Sequence, residues 1–391
     1  MTSDKPKLKV VFNATSLRPG GGLTVLLGVL RGLARQTEIG VDAFVVCSAT
    51  GTADEIRKHE VAKEVIVECE NQSVWKRQWF VRFALGKLSK KLGADLFFSV
   101  NQYVANVECP QIVYHINLLR FLPVDKTRGM LHQFAESLRN KSAKQAIQQA
   151  DANVFESAYI QSCATELYGR PINLDQVIYI GLPDDLIENR KQQQERPPAD
   201  CATFVAITNH NEHKDNPTLM RCLHSLATRH PDISWKLKIA GSIFPERWRP
   251  FQELADSLGV SSRIDWLGFV SQAELTDHLE SALCLVSTSR VESFCMVALE
   301  SMARACPTIV ADASAMPESV GDAAVLVTPG DYEGFADAIA AFYKKPDLRS
   351  RYVERGMARI ENFRWDRCGN EFARVMQQLA TPSSMVEHSQ E

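Results

Sequence analysis

Short apolar segments alternate with helical patterns along most of this chain, and this alternation constrains its fold more than any other feature. Strands that are covered by helices on both faces read as short, continuous apolar runs, and amphipathic helices separate them. The sequence shows this order twice, once on each side of a polar stretch. We therefore expect an α/β protein with two Rossmann-like domains, each a doubly wound parallel sheet.

The strand pattern also sets the domain limits. The predicted strands of the first half are 8–13, 42–47, 95–100, 111–115, 152–155 and 177–180. Those of the second half are 203–208, 235–241, 263–267, 283–287, 308–311 and 324–327. The polar, proline-capped stretch 188–198 is the predicted linker. We place the domains at 1–190 and 200–362 and expect a cleft between them at the carboxyl ends of the strands.

The bulk composition excludes several classes of protein. With 45% hydrophobic and 23% charged residues, the 391-residue chain has the composition of a globular protein. Its net charge of -3 argues against a nucleic-acid partner. No apolar run is long enough for a transmembrane helix, and no signal peptide is recognisable. Ten cysteines without any Cys-x2-Cys pair fit a reduced, cytoplasmic protein.

The segment 289–307 carries the strongest chemical signal. Glu292 should lie in the loop after a buried strand, and Glu300 about one turn inside a helix that opens at 293–296. The first amides of such a helix suit a phosphate, and the two carboxylates can accept hydrogen bonds from hydroxyls on either side of it. A nucleotide sugar has this layout. The alternative is that the Glu-x7-Glu spacing arises by chance.

This segment resembles the donor-binding signature of the retaining glycosyltransferases of family 4 (group 1). The usual form is Glu-Gly-Phe-Gly-Leu-Pro-x-Leu-Glu-Ala-Met-Ala-x-Gly-x-Pro-Val-Val-Ala. The matching positions are Glu292, Phe294, Leu299, Glu300, Met302, Ala303, Pro307, Val310 and Ala311. The departures are Ser293 and Cys295 for the two glycines, Met296 for Leu, Val297 for Pro and Ala305 for Gly.

The resemblance implies a GT-B fold with an acceptor-binding first domain and a nucleotide-sugar-binding second domain. A helix at about 363–380 is expected to pack back on the first domain. By the same resemblance, Glu292 contacts the hexose hydroxyls and Glu300 the ribose. The residues between them that belong to the implied donor site are Ser293, Phe294, Cys295 and Met296.

Three residues in the first half are further candidates. Gly21 and Gly22 follow the first strand and precede a helical pattern, so this loop is either a tight turn or a contact to phosphate or acceptor. The resemblance favours the contact. His115 ends a predicted strand, where a lone histidine is often structural. The resemblance places it against the transferred sugar, as a catalytic residue.

The second half has four more. Lys214 lies in the loop after the first strand and is suited to a diphosphate leaving group, although it could be a solvated lysine. The family has Arg five residues earlier, where this chain has Asn209. Gly241 resembles the glycine that borders the donor, and Val270 the residue whose loop holds the nucleobase through backbone groups.

No metal or cofactor is expected. The chain lacks Asp-x-Asp, the usual metal ligand pair of the other main glycosyltransferase fold. His210 and His213 form only a pair in one loop, without a third ligand. Lys214 and the helix amides are therefore expected to neutralise the diphosphate.

The segment 75–92 is basic and rich in aromatic residues. One interpretation is an amphipathic helix that packs on the first sheet. The other is a peripheral contact, through residues 75–91, with anionic lipid at the inner face of the cytoplasmic membrane.

Together these features predict a retaining glycosyltransferase that moves a hexose from a nucleotide diphosphate sugar to a hydroxyl acceptor. The acceptor would be a glycan or lipid-linked glycan in cell-surface polysaccharide or lipopolysaccharide biosynthesis. The alternatives are a catalytically silent subunit that binds a nucleotide or partner, and a nucleotide-sugar isomerase of the same fold.

Overall fold

The computed structural model describes residues 7–36, 38–68, 74–123, 129–188, 201–241 and 244–380. Two compact units result: the described parts of Met1–Pro183 and Phe363–Glu391 form the first, and those of Asp184–Asn362 form the second. The predicted linker 188–198 lies outside the described residues beyond its first position.

The first unit is built on a parallel sheet with strand order β3-β2-β1-β4-β5-β6-β7 in its described part. The strands are β1 (Lys7–Ala14), β2 (Gly40–Cys47), β3 (Glu64–Val67), β4 (Leu96–Val100), β5 (Gln111–His115), β6 (Ala152–Phe155) and β7 (Leu174–Val177). The helices are α1 (Gly21–Ala34), α2 (Thr50–Lys58), α3 (Val74–Phe83), α4 (Leu85–Leu92), α5 (Met130–Gln149) and α6 (Ala158–Tyr168). A 3-10 turn covers Leu118–Arg120.

The second unit has a parallel sheet of order β10-β9-β8-β11-β12-β13. The strands are β8 (Ala202–Ile207), β9 (Trp235–Ala240), β10 (Ile264–Gly268), β11 (Leu285–Ser287), β12 (Thr308–Ala311) and β13 (Ala324–Val327). The helices are α7 (Asp184–Glu188), α8 (Asn216–Arg229), α9 (Pro245–Ser257), α10 (Gln272–Ser281), α11 (Met296–Met302), α12 (Met316–Val320), α13 (Tyr332–Lys344) and α14 (Pro346–Arg359). The chain then returns to the first unit as α15 (Trp365–Ala380).

Both sheets change direction near their centre. In the first sheet the chain runs outward from β1 through β2 to β3, then starts again on the other side at β4. In the second sheet the same reversal occurs between β8 and β11. Loops that follow the two strands at such a point diverge and leave a crevice at the carboxyl edge. The predicted α/β fold of doubly wound parallel sheets is confirmed.

The α15 helix packs closely on α1. An added Cβ at Gly28 would lie 2.1 Å from the Trp365 ring, and one at Gly32 would lie 2.3 Å from the Trp365 carbonyl oxygen. Gly369 approaches the backbone of Gly32 in the same way. Glycine at these positions lets the two helix backbones come together, so the last described helix is an integral part of the first unit.

Most predicted strands agree with the structure within about two residues, and β7 is the main exception. We predicted it at 177–180, but the hydrogen-bonded strand is Leu174–Val177. The apolar residues Ile178 and Ile180 are fully buried in the connection that follows, so hydrophobicity marked the buried connection and not the edge strand. The half-buried edge strand β3 was not predicted at all, because it begins with a charged residue and its apolar run is only three residues long.

The basic aromatic segment 75–92 forms two helices, α3 and α4, divided at Ala84, and not a single helix. Phe80, Val81 and Leu85 are buried in a cluster with strand residues. By contrast, Trp79 is 62% exposed and contacts the half-exposed Phe83, with 5.8 Å between ring centroids and a tilt of 45° between the rings. Phe80 therefore belongs to the core and is not available to a membrane surface.

Candidate functional site

The loops after β8 and β11 meet at the direction change of the second sheet. Each of these loops carries candidate residues. The β11 loop supports the β8 loop through three hydrogen-bond donors. The Thr288 hydroxyl donates to the carbonyl oxygen of Lys214 at 3.1 Å. The amide of Arg290 and the Ser289 hydroxyl both donate to the carbonyl oxygen of His213, at 2.7 and 3.2 Å. These bonds fix the backbone on which Lys214 stands.

A second element of this support is Asp215, which has left-handed backbone angles (φ 49). Its Oδ2 accepts hydrogen bonds from the Thr218 hydroxyl at 2.8 Å and from Arg290 Nε at 2.6 Å. Asp tolerates this conformation better than most residues because its short side chain can bond locally. Asp215 and Arg290 thus join the start of α8 to the β11 loop.

The Lys214 ammonium and the Glu292 carboxylate contact each other. Their Nζ and Oε1 atoms are 2.6 Å apart, and the side chains are 17% and 16% exposed. The Glu292 amide donates to the hydroxyl of Ser314 at 2.8 Å. The ion pair therefore joins two candidate residues that lie 78 positions apart in the sequence, and both side chains remain partly solvated.

Cys295 occupies the second glycine position of the signature and adopts left-handed angles (φ 68) as the residue before α11. Glycine reaches this region without strain, whereas a residue with a Cβ does so at a cost of about 1–2 kcal/mol. The Cys295 side chain is buried, and burial together with the neighbouring Glu292 raises the pKa of its thiol to about 12. The local backbone bend is thus kept although the glycine is not.

The remaining residues of this segment are placed by α11 and its neighbour α12. Ser293 is half-buried just before Cys295, and Phe294 is buried. The carbonyl oxygen of Phe294 accepts a hydrogen bond from the Ser319 hydroxyl. Met296 is the first residue of α11 and is half-buried.

Glu300 lies one turn into α11, as predicted. Burial raises the pKa of its carboxyl, and the nearby positive charge of Arg304 acts in the opposite direction. Arg304 donates to the carbonyl oxygen of Glu300 at 2.8 Å and to the Thr276 hydroxyl at 2.9 Å, while its Nη2 is buried without a partner. Sequence reasoning missed Arg304, because an arginine four residues from a glutamate is common on solvated helices.

Gly241 and Val270 follow the neighbouring strands β9 and β10. A Cβ at Gly241 (φ 145) would lie 1.8 Å from the carbonyl oxygen of Thr208, so only glycine fits where the β8 and β9 ends converge. Val270 is half-buried, and next to it Phe269 is 88% exposed. A large exposed aromatic residue at this edge was not among the predicted site residues.

Asn209 occupies the position of the family's arginine, and its hydrogen bonds stabilise the loop to which it belongs. Its side-chain oxygen accepts from the amide of Asn211 at 2.9 Å, and its carbonyl oxygen accepts from the Asn216 side chain at 2.7 Å. The neighbouring His210 contacts Arg247, with 2.6 Å between Nε2 and Nη1. A guanidinium therefore lies beside this loop although position 209 carries none.

The candidates of the first unit lie at its own carboxyl edge. Gly21 and Gly22 form the first turn of α1, directly after the β1 loop. His115 ends β5 and is 1% exposed, stacked on Phe155 and edge-on to Phe121. Burial lowers the pKa of His115 to about 4, so the ring is neutral at pH 7.

The hydrogen bonds of His115 define its tautomer. The amide of Asn153 donates to the carbonyl oxygen of Ile147, which leaves Asn153 Oδ1 as the acceptor for His115 Nε2 at 2.8 Å. Nε2 therefore carries the proton, and Nδ1 is a buried acceptor without a partner.

The described part of the chain shows neither a metal-binding cluster nor a membrane-spanning helix. Within 7–36, 38–68, 74–123, 129–188, 201–241 and 244–380, no group of three or more His, Cys, Asp or Glu residues could hold a metal ion. In the same ranges, no helix has both the length and the apolar character needed to cross a bilayer.

Comparison with known proteins gives these observations a context. Residues 188–359 match the family model for glycosyl transferases group 1. A D-inositol 3-phosphate glycosyltransferase of Streptomyces scabiei is 32% identical over 158 residues, which cover 38% of this chain but only 35% of that relative. The match thus spans about a third of the relative's length.

Similarity to solved structures extends over nearly the whole chain. A glycosyltransferase of Rickettsia africae has a TM-score of 0.73 at 14% identity and covers 96% of this chain and 100% of its own. The Anabaena protein HepE, solved with UDP-glucose, has a TM-score of 0.73 at 16% identity, with 95% and 100% coverage. At these identities the similarity shows the fold.

Proposed function

We propose that this chain, whose residues 188–359 match the family model for glycosyl transferases group 1 and whose GT-B fold is shared with solved glycosyltransferases, transfers a hexose from a nucleotide diphosphate sugar to a hydroxyl acceptor. The proposal includes retention of configuration, as in family 4. The observation that carries it is the Lys214–Glu292 ion pair where the loops after β8 and β11 meet. The segment that resembles the donor signature begins at this pair.

The pair gives each residue a role when the donor binds. Lys214 exchanges the Glu292 carboxylate for the donor diphosphate, a stronger concentration of negative charge. Glu292 is then free to accept hydrogen bonds from hexose hydroxyls. Glu300, in the first turns of α11, would accept from the ribose hydroxyls, and the desolvation of its carboxyl would then be compensated by hydrogen bonds.

The reaction requires no nucleophile from the protein. The bond between the anomeric carbon and the diphosphate oxygen breaks, and the bond to the acceptor oxygen forms on the same face. The acceptor proton moves to the departing diphosphate oxygen. Lys214 stabilises the charge that develops on this group, the kind of electrostatic contribution that dominates many enzymes. We propose no metal and no cofactor for this step.

A donor screen tests the proposal. Nucleotide sugars that differ in base and hexose are added to the full chain, and the melting temperature is recorded, because a ligand specific for the folded state stabilises it by mass action. The donors that stabilise are then incubated in water, and the released nucleoside diphosphate is measured. Slow release supports transfer chemistry. Binding without any release, with or without acceptors, would contradict it.

The second candidate function is a catalytically silent nucleotide-binding subunit. The observation that favours it is Asn209, whose side chain caps its own loop where the family carries a cation. The donor screen separates the two candidates, because a silent subunit would show stabilisation by nucleotides without turnover. A nucleotide-sugar isomerase would instead consume the donor without releasing nucleoside diphosphate.

The acceptor proposed is a glycan or lipid-linked glycan of the cell surface, reached by a peripheral membrane contact of the segment 75–91. The exposed Trp79 and Phe83 and the exposed lysines Lys87, Lys90 and Lys91 support this contact. Sedimentation with anionic vesicles at low and high salt tests it, with Trp79→Ser as the variant expected to lose binding. Binding that does not depend on salt or on Trp79 would leave a soluble glycan as the acceptor.

A further inference from the structure

A cluster of positive charge in the first unit has no role in donor binding as proposed above. Arg120 ends the 3-10 turn Leu118–Arg120 that follows β5, and Arg139 lies in the middle of α5. The Nε atoms of both guanidinium groups are buried and have no hydrogen-bond partner. Buried arginine side chains normally have their donors satisfied, because an unpaired buried charge is strongly unfavourable.

The two guanidinium groups interact with each other. Burial, and next the positive charge of Arg139, lower the pKa of Arg120 to about 10. Glu136 lies 3.6 Å from Arg139 and offsets one of the two charges. No carboxylate among the described residues pairs with Arg120. The nearby His115 is neutral at pH 7, and the charge of Arg120 contributes to the lowering of its pKa. With two arginine charges and one glutamate charge, the cluster is net positive.

The surrounding structure holds these groups in place. The Tyr168 hydroxyl donates to the carbonyl oxygen of Arg120 at 3.1 Å, and the Asn140 side chain donates to the carbonyl oxygen of Leu122 at 3.2 Å. Phe121, next to Arg120, packs edge-on against both Tyr168 and His115. The segment after β5 is therefore held against α5 and α6. The backbone that carries Arg120 is fixed by these contacts.

We propose that Arg120 and Arg139 bind an anionic group of the phosphate class on the acceptor. Two guanidinium groups with unused N–H donors suit the several oxygens of a phosphate, which arginine binds in bidentate fashion. The inference rests on the proposed function, because it assumes that the chain is a glycosyltransferase with an acceptor. It assigns the binding of that acceptor to the first unit. The acceptor is then a phosphorylated hydroxyl compound.

The phosphate could be part of a soluble molecule or of a lipid. The same helix α5 exposes Met130 (87%), Phe134 (63%) and Leu138 (50%), three large apolar side chains at successive i, i+4 spacing. They form an apolar stripe on one side of α5. This stripe offers a surface to a lipid-linked phosphate, whereas a soluble phosphate would not use it.

Phosphate binding by the full chain is tested without any donor. Lys214→Ala serves as the background, so that the donor site does not contribute, and inorganic phosphate is titrated while the melting temperature is recorded. We expect phosphate to raise the melting temperature. Adding Arg120→Gln or Arg139→Gln should weaken the apparent affinity on the order of tenfold, the loss of a charge-assisted hydrogen bond.

Two controls keep this test decisive. Arg170→Gln removes an arginine of the same unit whose side chain is 83% exposed, and it should leave the phosphate effect unchanged. Arg120→Lys keeps the charge and should retain part of the effect if Arg120→Gln does not fold. No stabilisation by phosphate, or equal stabilisation in all variants, would overturn the inference.

Turnover separates this inference from the proposed function. With a donor from the screen, sugar phosphates are compared with the same sugars lacking phosphate, and phosphatidylcholine vesicles containing a sugar linked to a polyprenyl phosphate, which supplies both the phosphate and the hydroxyls, form a third arm. Arg120→Gln should raise the KM for phosphorylated acceptors at least about tenfold, with a smaller effect on kcat.

Preference for either phosphorylated arm supports the inference and identifies the source. Nucleoside diphosphate release without any such preference contradicts the inference alone, whereas no release with any donor contradicts the proposed function.

Discussion

Lys214 and Glu292 form an ion pair with each other in the absence of substrate. At 2.6 Å and about one-sixth exposed, the pair is partly desolvated, so removal of one partner changes the charge available to the other. A donor diphosphate must compete with Glu292 for the ammonium group. Removal of Lys214 should therefore weaken donor binding, whereas removal of the Glu292 charge should not, although both changes should lower turnover.

Glu292→Gln tests this competition. The variant frees Lys214 for the diphosphate, so donor affinity should be kept or should increase. Turnover should fall on the order of 10²-fold, because the hydrogen bonds to the hexose are lost in the transition state. Single-turnover kinetics and donor titration measure the two effects separately. Glu253→Gln, a change on the exposed face of α9, is the matched control, and unchanged kinetics in both variants would place the donor elsewhere.

Glu300 offers a prediction about stability. Burial raises the pKa of its carboxyl, so the folded state binds the Glu300 proton more tightly than the unfolded state does. Its contribution is therefore most favourable below the ordinary pKa of Glu and is lost as pH rises through that value towards the raised one. Without donor, Glu300→Gln should show a higher melting temperature than the wild type at neutral pH, and a smaller difference at about pH 4.

The same variant should bind the donor more weakly, because an amide accepts hydrogen bonds from ribose less well than a carboxylate does. Glu354→Gln, on the exposed side of α14, controls for the loss of one negative charge. A stabilised variant that keeps full donor affinity would remove Glu300 from the site.

Sequence reasoning selected Glu292, Lys214 and Glu300 as candidates because each belongs to a local pattern. It did not find the residues that support them. Asp215 and Arg290 form their ion pair across 75 positions of the chain, and no local pattern indicates such a partner. Cys295 shows the complementary case: replacement of a glycine left open whether the bend survives, and the backbone angles show that it does.

At the scale of elements, strands with a largely apolar sequence were predictable, including the edge strand β13. The strands β5, β6, β12 and β13 were predicted with their observed limits, because largely apolar runs indicate strands that pack against helices. The edge strands β3 and β7 are half-buried and contain charged residues, so hydrophobicity does not mark them. The break between α3 and α4 was missed for a related reason, since a run of helix formers does not reveal where tertiary packing interrupts it.

The contact between α1 and α15 gives a prediction of its own. In Gly32→Ala the added methyl group would lie 2.3 Å from the Trp365 carbonyl oxygen, so the helices must move apart. Overpacking of this kind costs about 1–3 kcal/mol in the free energy of unfolding. Gly51→Ala in α2, where an added Cβ meets nothing within 4 Å, is the matched control and should be neutral or slightly stabilising. Chemical denaturation measures both, and equal stability would mean that α15 is not tightly packed on α1.

At the scale of the whole molecule, the sequence signal is concentrated in the second unit. The family match covers 188–359, while the similarity of the whole chain to solved structures shows the fold. A physical reason follows from the proposed reaction: a nucleotide diphosphate presents the same groups in every such enzyme, whereas acceptors differ. Residues such as Arg120, which would bind the acceptor, therefore have no general pattern to reveal them, and their unpaired donors became visible only in the structure.

The last prediction concerns how the molecule neutralises the leaving diphosphate. We propose that Lys214, assisted by backbone amides, does this without a divalent cation. Lys214→Ala should then lower the rate on the order of 10²-fold or more, the scale of losing one donor to a developing oxyanion. Saturating EDTA should leave the activity of the wild type intact. Lys238→Ala, which removes a lysine that contacts His278 instead, is the matched control. If activity requires Mg²⁺ or Mn²⁺, or if Lys214→Ala retains the wild-type rate, the diphosphate charge is stabilised by other groups and the assignment of Lys214 is wrong.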